Sequence, residues 1–335
     1  MTSPTLIVDD QDPRIFYHCP VTKETVKGPS YFRNTWTTIQ SLSCGLQSGW
    51  FSHVFNGTQA RIWVSASQTN SNYSVKIDDG PFIPQSGFGY FESPVLDDGQ
   101  HTIVYGASAT DVFPAFDYLT VTASSTTQLL GRTVIVDDAD ITQYSGQWST
   151  QLLTPLALSR PSAIYKNTTH WSRTVGDSFT FQFTGNSVAV YVVIPNSNDT
   201  ATANSTISYS VDGVSTVVPL PSASTQVDVM TELFHADVAA GTHALVFNVT
   251  QLAPTHVFGV DFVLYNSTVD IAPPEGSTVQ DPLARHTNHT RIIVGATIGS
   301  IAGLVLLGFL VCLYKRSRSR KPRASNWEVV PKVKQ

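Results

Sequence analysis

Short segments of alternating apolar and polar residues run through most of the chain and predict β-strands. Residues 179–183 read F-T-F-Q-F, and residues 207–211 read I-S-Y-S-V before the pair Asp212-Gly213. Alternation places every second side chain on one face of a strand, and Asp-Gly is a frequent hairpin turn. Short strands separated by turn residues predict an all-β fold built from antiparallel β-sandwiches or jelly rolls.

The strand pattern occurs twice. The motif I-V-D-D at residues 7–10 returns at residues 135–138, and F-N-G at residues 55–57 corresponds to F-T-G at residues 183–185. Further matches follow in the same order, among them G-Q-H at 99–101 with G-T-H at 241–243. An internal repeat of this length indicates two homologous domains. We predict tandem β-sandwich domains at residues 1–125 and 132–268.

One segment breaks the alternation completely. Residues 292–314 contain no charged side chain and are followed directly by K-R-S-R-S-R-K-P-R. Such a run is long enough for an α-helix to cross a hydrocarbon core of ~30 Å, and the basic flank places the C-terminus in the cytoplasm. The sequence thus predicts a Pro-rich polar stalk (269–290), one transmembrane helix (291–314) and a basic cytoplasmic tail (315–335).

Potential N-glycosylation sites agree with this topology, because all Asn-X-Ser/Thr sequons precede the predicted helix. Glycosylated sequons lie outside the cell or in a secretory lumen. We therefore predict a glycosylated, extracellular ectodomain at the plasma membrane. The eight acceptor residues are Asn56, Asn72, Asn167, Asn198, Asn204, Asn248, Asn266 and Asn288.

The N-terminus does not resemble a signal peptide. It reads M-T-S-P-T-L-I-V-D-D, without a basic segment or an apolar segment of ordinary length. We expect that the gene model begins too late, because residues 5–8 already have the pattern of a first strand. Export by the membrane helix itself and tail anchoring are alternatives, and the basic flank and the sequons argue against tail anchoring.

Charge is distributed unevenly along the chain. The formal net charge is −5 overall, but residues 1–290 contain 24 acidic and 11 basic side chains. An acidic ectodomain argues against nucleic acid as a partner, because phosphate binding needs a basic surface. The basic tail contacts anionic lipid in this interpretation.

Several short motifs of repeat two resemble a known group of proteins. They are V-D-D at 136–138, V-G-D-S at 175–178, S-V-D-G at 210–213, A-G-T-H at 240–243 and V-D-F at 260–262. The chain resembles the tandem galactose-binding-like, jelly-roll, single-pass membrane proteins of mushroom-forming fungi. The resemblance covers most of residues 5–265 and implies fold and topology more than activity, since this fold has many functions.

Paired carboxylates form the first candidate site. If the first and last strands of each repeat run side by side, their carboxylates meet and could hold a structural Ca²⁺, which prefers oxygen ligands. The alternative is that they cap turns or face solvent. Adjacent Asp residues on a strand point to opposite faces, so neither pair is itself a glycosidase acid–base device. The candidate calcium ligands are Asp9, Asp10 and Asp117 in repeat one, and Asp137, Asp138 and Asp261 in repeat two.

Aromatic residues in polar or Gly-rich segments are the candidates for ligand contact. A sugar ring stacks its C–H face on an exposed aromatic ring, and neighbouring polar groups orient it. The alternative is that each ring belongs to the core or anchors a loop. The candidates are Trp36, Trp50, Tyr90, Tyr165 and Trp171.

The cysteines and the membrane-segment glycines suggest two further contacts. Cys19 and Cys44 lie in the same extracellular repeat, so we predict a disulfide bond between them. Gly295, Gly299 and Gly303 form two G-x-x-x-G steps, a spacing that permits close helix packing and a homodimer through the membrane helix.

The sequence therefore predicts a cell-surface, single-pass protein whose ectodomain binds an extracellular glycan or glycoprotein without catalysis. The second interpretation is a structural or adhesive cell-wall spacer with no discrete ligand. An enzyme such as a glycoside hydrolase ranks third, since no G-x-S-x-G or H-E-x-x-H motif is present. No cofactor is predicted apart from the possible structural calcium.

Overall fold

The computed structural model describes residues 3–25, 31–40, 49–65, 71–87, 90–107, 114–151, 164–196, 205–222 and 226–270. Within these residues the fold is all-β, and the helical segments are three single 3₁₀ turns at Phe32–Asn34, Asp138–Asp140 and Tyr165–Asn167. The predicted fold class is confirmed at this level. The alternating segments lie in strands, and Asp212-Gly213 forms the turn between two of them.

Repeat one contributes the first eleven strands. They are β1 Thr5–Asp9, β2 Ile15–Tyr17, β3 Val21–Thr25, β4 Thr35–Ile39, β5 Phe51–Gly57, β6 Gln59–Ser65, β7 Ser71–Ile77, β8 Ile83–Gly87, β9 Phe91–Glu92, β10 Gly99–Ala107 and β11 Ala115–Thr122. Strands β2-β5-β10-β7-β8 form a five-stranded antiparallel sheet, and the others belong to a second, larger sheet. Apolar side chains of both sheets, such as Phe51, Ile103 and Phe116, are buried against each other, so repeat one is a two-layer sandwich.

Repeat two contributes eight strands. They are β12 Thr133–Asp137, β13 Gln143–Ser145, β14 His170–Ser172, β15 Ser178–Ile194, β16 Thr206–Val211, β17 Val214–Pro219, β18 Asp228–Gln251 and β19 Phe258–Ser267. Strands β15 and β18 are much longer than the strands of repeat one. Each runs through the positions that two separate strands occupy there, and both are bent near Gly185 and Gly241, where their register shifts.

The bend in β15 requires a glycine. A Cβ atom on Gly185 would lie 2.4 Å from the carbonyl oxygen of Asn266, and one on Gly57, the matching residue of repeat one, would lie 2.4 Å from the carbonyl oxygen of Thr122. These distances are far shorter than any van der Waals contact, and both carbonyl oxygens are backbone atoms that cannot move aside alone.

We expect Gly185→Ala to lower the free energy of unfolding by about 1–3 kcal/mol, the usual cost of overpacking. Urea denaturation of the variant would measure it. Gly241→Ala is the matched control, because a Cβ there meets only the His243 ring at 3.5 Å. Equal losses in both variants would show that the backbone contact at Gly185 is not responsible.

The two repeats are joined by a sheet and by a core. Strand β1 pairs with β12 through Thr5↔Ile135 and Leu6↔Val134, so that one fourteen-stranded sheet passes through both repeats. Aromatic rings meet across the junction, with Phe32 and Tyr191 at 5.8 Å. Residues of both repeats share one buried cluster, and residues 1–275 form one compact unit. The predicted domains 1–125 and 132–268 are thus continuous with each other.

Several predicted segments lie outside the described residues. They are the membrane helix 291–314 with Gly295, Gly299 and Gly303, the tail 315–335, and all of the stalk 269–290 beyond residue 270. Within the part of the chain that the structure describes, no helix is long and apolar enough to cross a membrane. Cys19 is disulfide-bonded, as the predicted bridge requires, and Cys44 lies outside the described residues.

Candidate functional site

The carboxylates of repeat one meet, but they bind groups of the protein itself. The Phe32 amide donates to Asp117 Oδ1 at 2.8 Å, and the Thr35 hydroxyl donates to Asp10 Oδ1 at 2.7 Å. The Tyr17 hydroxyl donates to the backbone oxygen of Asp10 at 2.6 Å. These bonds fix the 3₁₀ turn at residues 32–34 against the first and last strands of the repeat.

Repeat two contains the same arrangement. The Tyr165 amide donates to Asp261 Oδ1 at 3.0 Å, and the Thr168 hydroxyl donates to Asp138 Oδ1 at 2.7 Å. His170 Nδ1 lies 2.6 Å from Asp138 Oδ2, so the two groups share a hydrogen bond. The aspartates therefore hold each turn in place in both repeats.

A short motif encodes this turn, and the sequence analysis missed it. Residues 32–35 read F-R-N-T and residues 165–168 read Y-K-N-T. The two central residues of each turn have positive φ, at 52° and 59° in repeat one and 48° and 59° in repeat two. Asparagine tolerates this conformation better than most residues, which accounts for its presence in both copies.

Burial raises the pKa of aspartates in the carboxylate clusters of both repeats. The pKa of Asp9 is raised to about 7 by burial and by its neighbour Asp10, and the pKa of Asp137 is raised to about 7 by burial and by Asp138. Complete burial raises the pKa of Asp261 well above its ordinary value. Asp137 Oδ1 and Asp261 Oδ2 have no hydrogen-bond partner among the described residues.

Several carboxylate oxygens of the predicted calcium ligands thus already accept hydrogen bonds from protein donors. Among the described residues, no group of three or more His, Cys, Asp or Glu side chains is arranged so that it could hold a metal ion. Structural calcium at either cluster stays a prediction.

Most of the aromatic candidates are in the core. Trp50 and Tyr165 are 0% exposed and Trp171 is 4% exposed, so none of the three can offer a ring face to a sugar. Trp171 packs directly on Gly259, where a Cβ would lie 2.8 Å from its ring, in the cluster that joins the repeats. Burial contradicts the interpretation of these three rings as ligand contacts: Trp50 lies in the core of repeat one, and Tyr165 and Trp171 lie in the cluster shared by both repeats.

The remaining two candidates reach the surface in part. Trp36 is half-buried and stacks on Tyr31 at 5.9 Å. Tyr90 is 36% exposed, and its hydroxyl donates to Glu92 at 2.9 Å. Both stay predictions as ligand contacts.

The sequons differ in accessibility. Asn56, Asn72 and Asn167 are exposed, and Asn248 is half-buried on a central strand. Asn266 is half-buried, and its Oδ1 accepts a hydrogen bond from the Thr133 hydroxyl at 2.8 Å. We therefore expect Asn266 to be the poorest acceptor of these five. Asn198, Asn204 and Asn288 lie outside the described residues.

An aromatic surface that the sequence analysis did not identify lies on the five-stranded sheet of repeat one. Strand β2 buries Ile15 and turns Phe16 outward, where 65% of its surface is exposed. The Phe16 ring meets the His18 ring edge-on at 5.0 Å. The alternation in residues 15–18, I-F-Y-H, was the available signal, because it predicts a strand with two aromatic rings on its outer face.

Polar and aliphatic side chains of neighbouring strands continue this surface. Phe16 pairs with Ser52, which pairs with Val104, and Val54 pairs with Thr102. We call these five residues, with His18, the Phe16 face. Repeat two has Gln143 where repeat one has Phe16, since Gln143 pairs with Thr180, the equivalent of Ser52. The aromatic surface is thus specific to repeat one.

Comparisons with known proteins give structural likenesses only. No protein-family model and no curated protein matches the chain. The tandem CBM22 domains of Paenibacillus barcinonensis Xyn10C are 10% identical over 80% of this chain and 99% of theirs, with a TM-score of 0.29. The ANX1 ectodomain from Arabidopsis thaliana is 10% identical over 81% of this chain and 97% of its own, with a TM-score of 0.25.

A third likeness is to a family two carbohydrate esterase from Cellvibrio japonicus. It is 16% identical over 37% of this chain, with a TM-score of 0.26, and the match spans 35% of the esterase. At TM-scores this low, no binding property or activity is transferred from any of the three proteins.

Proposed function

We propose that this protein is a cell-surface, single-pass membrane protein whose jelly-roll ectodomain binds an extracellular glycan without catalysis, through the Phe16 face. The observation that carries the proposal is the exposed Phe16 ring, on a face of the sheet that also holds the side chains of Ser52 and Thr102. Phe16 shares its face of the sheet with the exposed Val54 and the half-buried Val104, and neighbouring apolar side chains at a surface often mark a ligand-binding site. A pyranose C–H face would stack on Phe16, and the hydroxyl groups would bond its rim.

The proposed location rests on the sequence. The apolar run 292–314, its basic flank and the sequons on one side of it support a membrane anchor with an extracellular N-terminal part. The low charge, the tandem repeats and the fungal resemblance are in keeping with this placement.

We expect Phe16→Ala to weaken glycan binding by roughly two- to tenfold, since stacking on an aromatic face is worth roughly 0.5–1.5 kcal/mol. Residues 1–275, which hold the compact unit, would be screened on an array of fungal-wall and other glycans. Gln143→Ala is the matched control, because it changes the same strand position in repeat two and should leave binding unchanged.

A folded ectodomain that binds no glycan, or binds equally well after Phe16→Ala, would contradict the proposal. The first result would favour the alternative function, a spacer without a discrete ligand. The specific observation in favour of a spacer is the continuous sheet and core between the repeats, which hold them at one fixed angle.

A further inference from the structure

Asn56 lies in the wall of a groove beside β5. The groove has a volume of about 170 Å³ and is lined by β1, β5 and the segment that connects the repeats. A pocket for a drug-sized ligand is typically ~300–1,000 Å³, so this groove suits a single small residue such as one sugar. Asn56 is exposed and begins the sequon Asn56-Gly57-Thr58.

The backbone around Asn56 is rigid. The Thr127 hydroxyl donates to the carbonyl oxygen of Asn56 at 2.9 Å, and the Thr58 amide donates to the carbonyl oxygen of Thr122 at 3.0 Å. Gly57 lies so close to Thr122 that no side chain would fit there. A group attached to the Asn56 side chain would therefore leave the protein from a fixed position at the groove.

The groove offers hydrogen-bond donors and no acid. Gln100 is the cross-strand partner of Asn56, so their side chains lie on the same face, and Gln128 and Arg132 line the groove as well. Arg132 makes no ion pair with a described residue, whereas Arg14 is held by Asp12 at 2.5 Å. The lining contains no Asp or Glu, although the ectodomain is acidic. Amide and guanidinium donors suit the acetamido and hydroxyl oxygens of N-acetylglucosamine.

Repeat two shows that side chains meet at this position. Thr184 and Thr242 correspond to Asn56 and Gln100, and their hydroxyl oxygens are 3.0 Å apart. In repeat two, a hydrogen bond between two hydroxyl groups therefore fills this position. In repeat one, the same position holds Asn56, the sequon residue.

We propose that the first N-acetylglucosamine of a glycan on Asn56 packs into this groove and bonds Gln100, Gln128 and Arg132. The glycan thereby fastens the connecting segment to β5 and is held by the protein. This inference rests on the extracellular placement in the proposed function, but not on ligand binding at the Phe16 face.

The test compares Asn56 with Asn72, an exposed sequon that does not line the groove. The full-length chain would be expressed behind a secretion signal in a glycosylating host and purified in mild detergent. Peptide-N-glycosidase F would be applied under native conditions, and release at each site followed by mass spectrometry. We expect the Asn56 glycan to be released roughly tenfold more slowly, because release needs the groove to open.

A second variant tests whether contacts inside the groove cause the slow release of the Asn56 glycan. The double substitution Gln128→Ala and Arg132→Ala should speed release at Asn56 and leave Asn72 unchanged. Equal release rates at Asn56 and Asn72 in the unmodified chain would overturn the inference, as would an Asn56 that carries no glycan. If Asn72 and Asn167 are occupied in that case, the extracellular placement stands and only the groove inference fails.

Discussion

Asp261→Ala is expected to lower the free energy of unfolding by about 2–4 kcal/mol. The substitution removes the acceptor of the buried Tyr165 amide and leaves a cavity at a side chain that is 0% exposed. An unsatisfied buried donor and an unfilled cavity each cost about 1–3 kcal/mol. Urea denaturation at pH 7, followed by tryptophan fluorescence, would measure the loss.

Asp261→Asn is the matched control. Asparagine keeps an oxygen acceptor for the Tyr165 amide and has nearly the same volume. It also has no charge, and burial already disfavours the charged form of Asp261. We expect its effect to stay within about 1 kcal/mol. A loss as large as that of the alanine variant would show that Asp261 acts through its charge and not as the acceptor for the turn.

The protein is expected to be more stable near pH 5 than near pH 8. The pKa values of Asp9 and Asp137 are raised to about 7 in the folded chain from an ordinary value of 3.8, and that of Asp261 is raised further. Between these values the folded chain retains protons that the unfolded chain has released. The free energy of unfolding therefore falls as the pH rises through this window.

Two histidines also make the protein less stable as the pH rises. The pKa of His101 is raised by its hydrogen bond to Asp78, and the pKa of His243 is raised by its bond to Asp212 against the effect of burial. Their contribution is present below the ordinary histidine pKa and is lost as the pH rises. On the acid side, the lowered pKa values of Asp78 and Asp212 remove stability as those groups become protonated. Stability should thus peak in mildly acidic solution.

Melting temperatures measured from pH 4 to pH 8, in chelator and again in calcium, would check this dependence. A melting temperature that rises steadily to pH 8 in chelator would contradict it. A large increase in calcium at pH 8 would show that the carboxylates bind the metal after all, since a cation would stabilise their charged forms.

The strands could be predicted because alternation is a local property. The F-T-F-Q-F segment lies in β15, and the Asp212-Gly213 turn joins β16 to β17 as predicted. The repeat was also visible, since equivalent positions such as Phe55 and Phe183 fill equivalent places in two cores. The F-R-N-T and Y-K-N-T turns were not predicted. A turn held by one backbone amide and one hydroxyl group requires only a short sequence motif, and such a motif is hard to recognise.

The burial or exposure of the aromatic candidates could not be predicted in the same way. Tyr165 and Trp171 follow a polar segment and looked exposed, but they face the other repeat. Burial at a junction depends on which surfaces of two domains meet, and a periodic pattern within one domain does not encode that. Phe16 was missed for the opposite reason: an apolar residue on a strand is usually buried, although the strand period at residues 15–18 places Phe16 and His18 together on one face.

The junction between the repeats determines how the ectodomain would carry a mechanical load. A ligand pulling on the Phe16 face, resisted from the end of β19 near residue 270, would load the core of repeat one first, because that face lies on the five-stranded sheet. The load would then pass across the larger sheet along β11-β1-β12-β19. Only Thr5↔Ile135 and Leu6↔Val134 bridge β1 and β12, so backbone bonds there would open one after another. The aromatic contacts around Phe32 and Tyr191 would then bear most of the force. Under tension the repeats are expected to separate at this seam before either one unfolds.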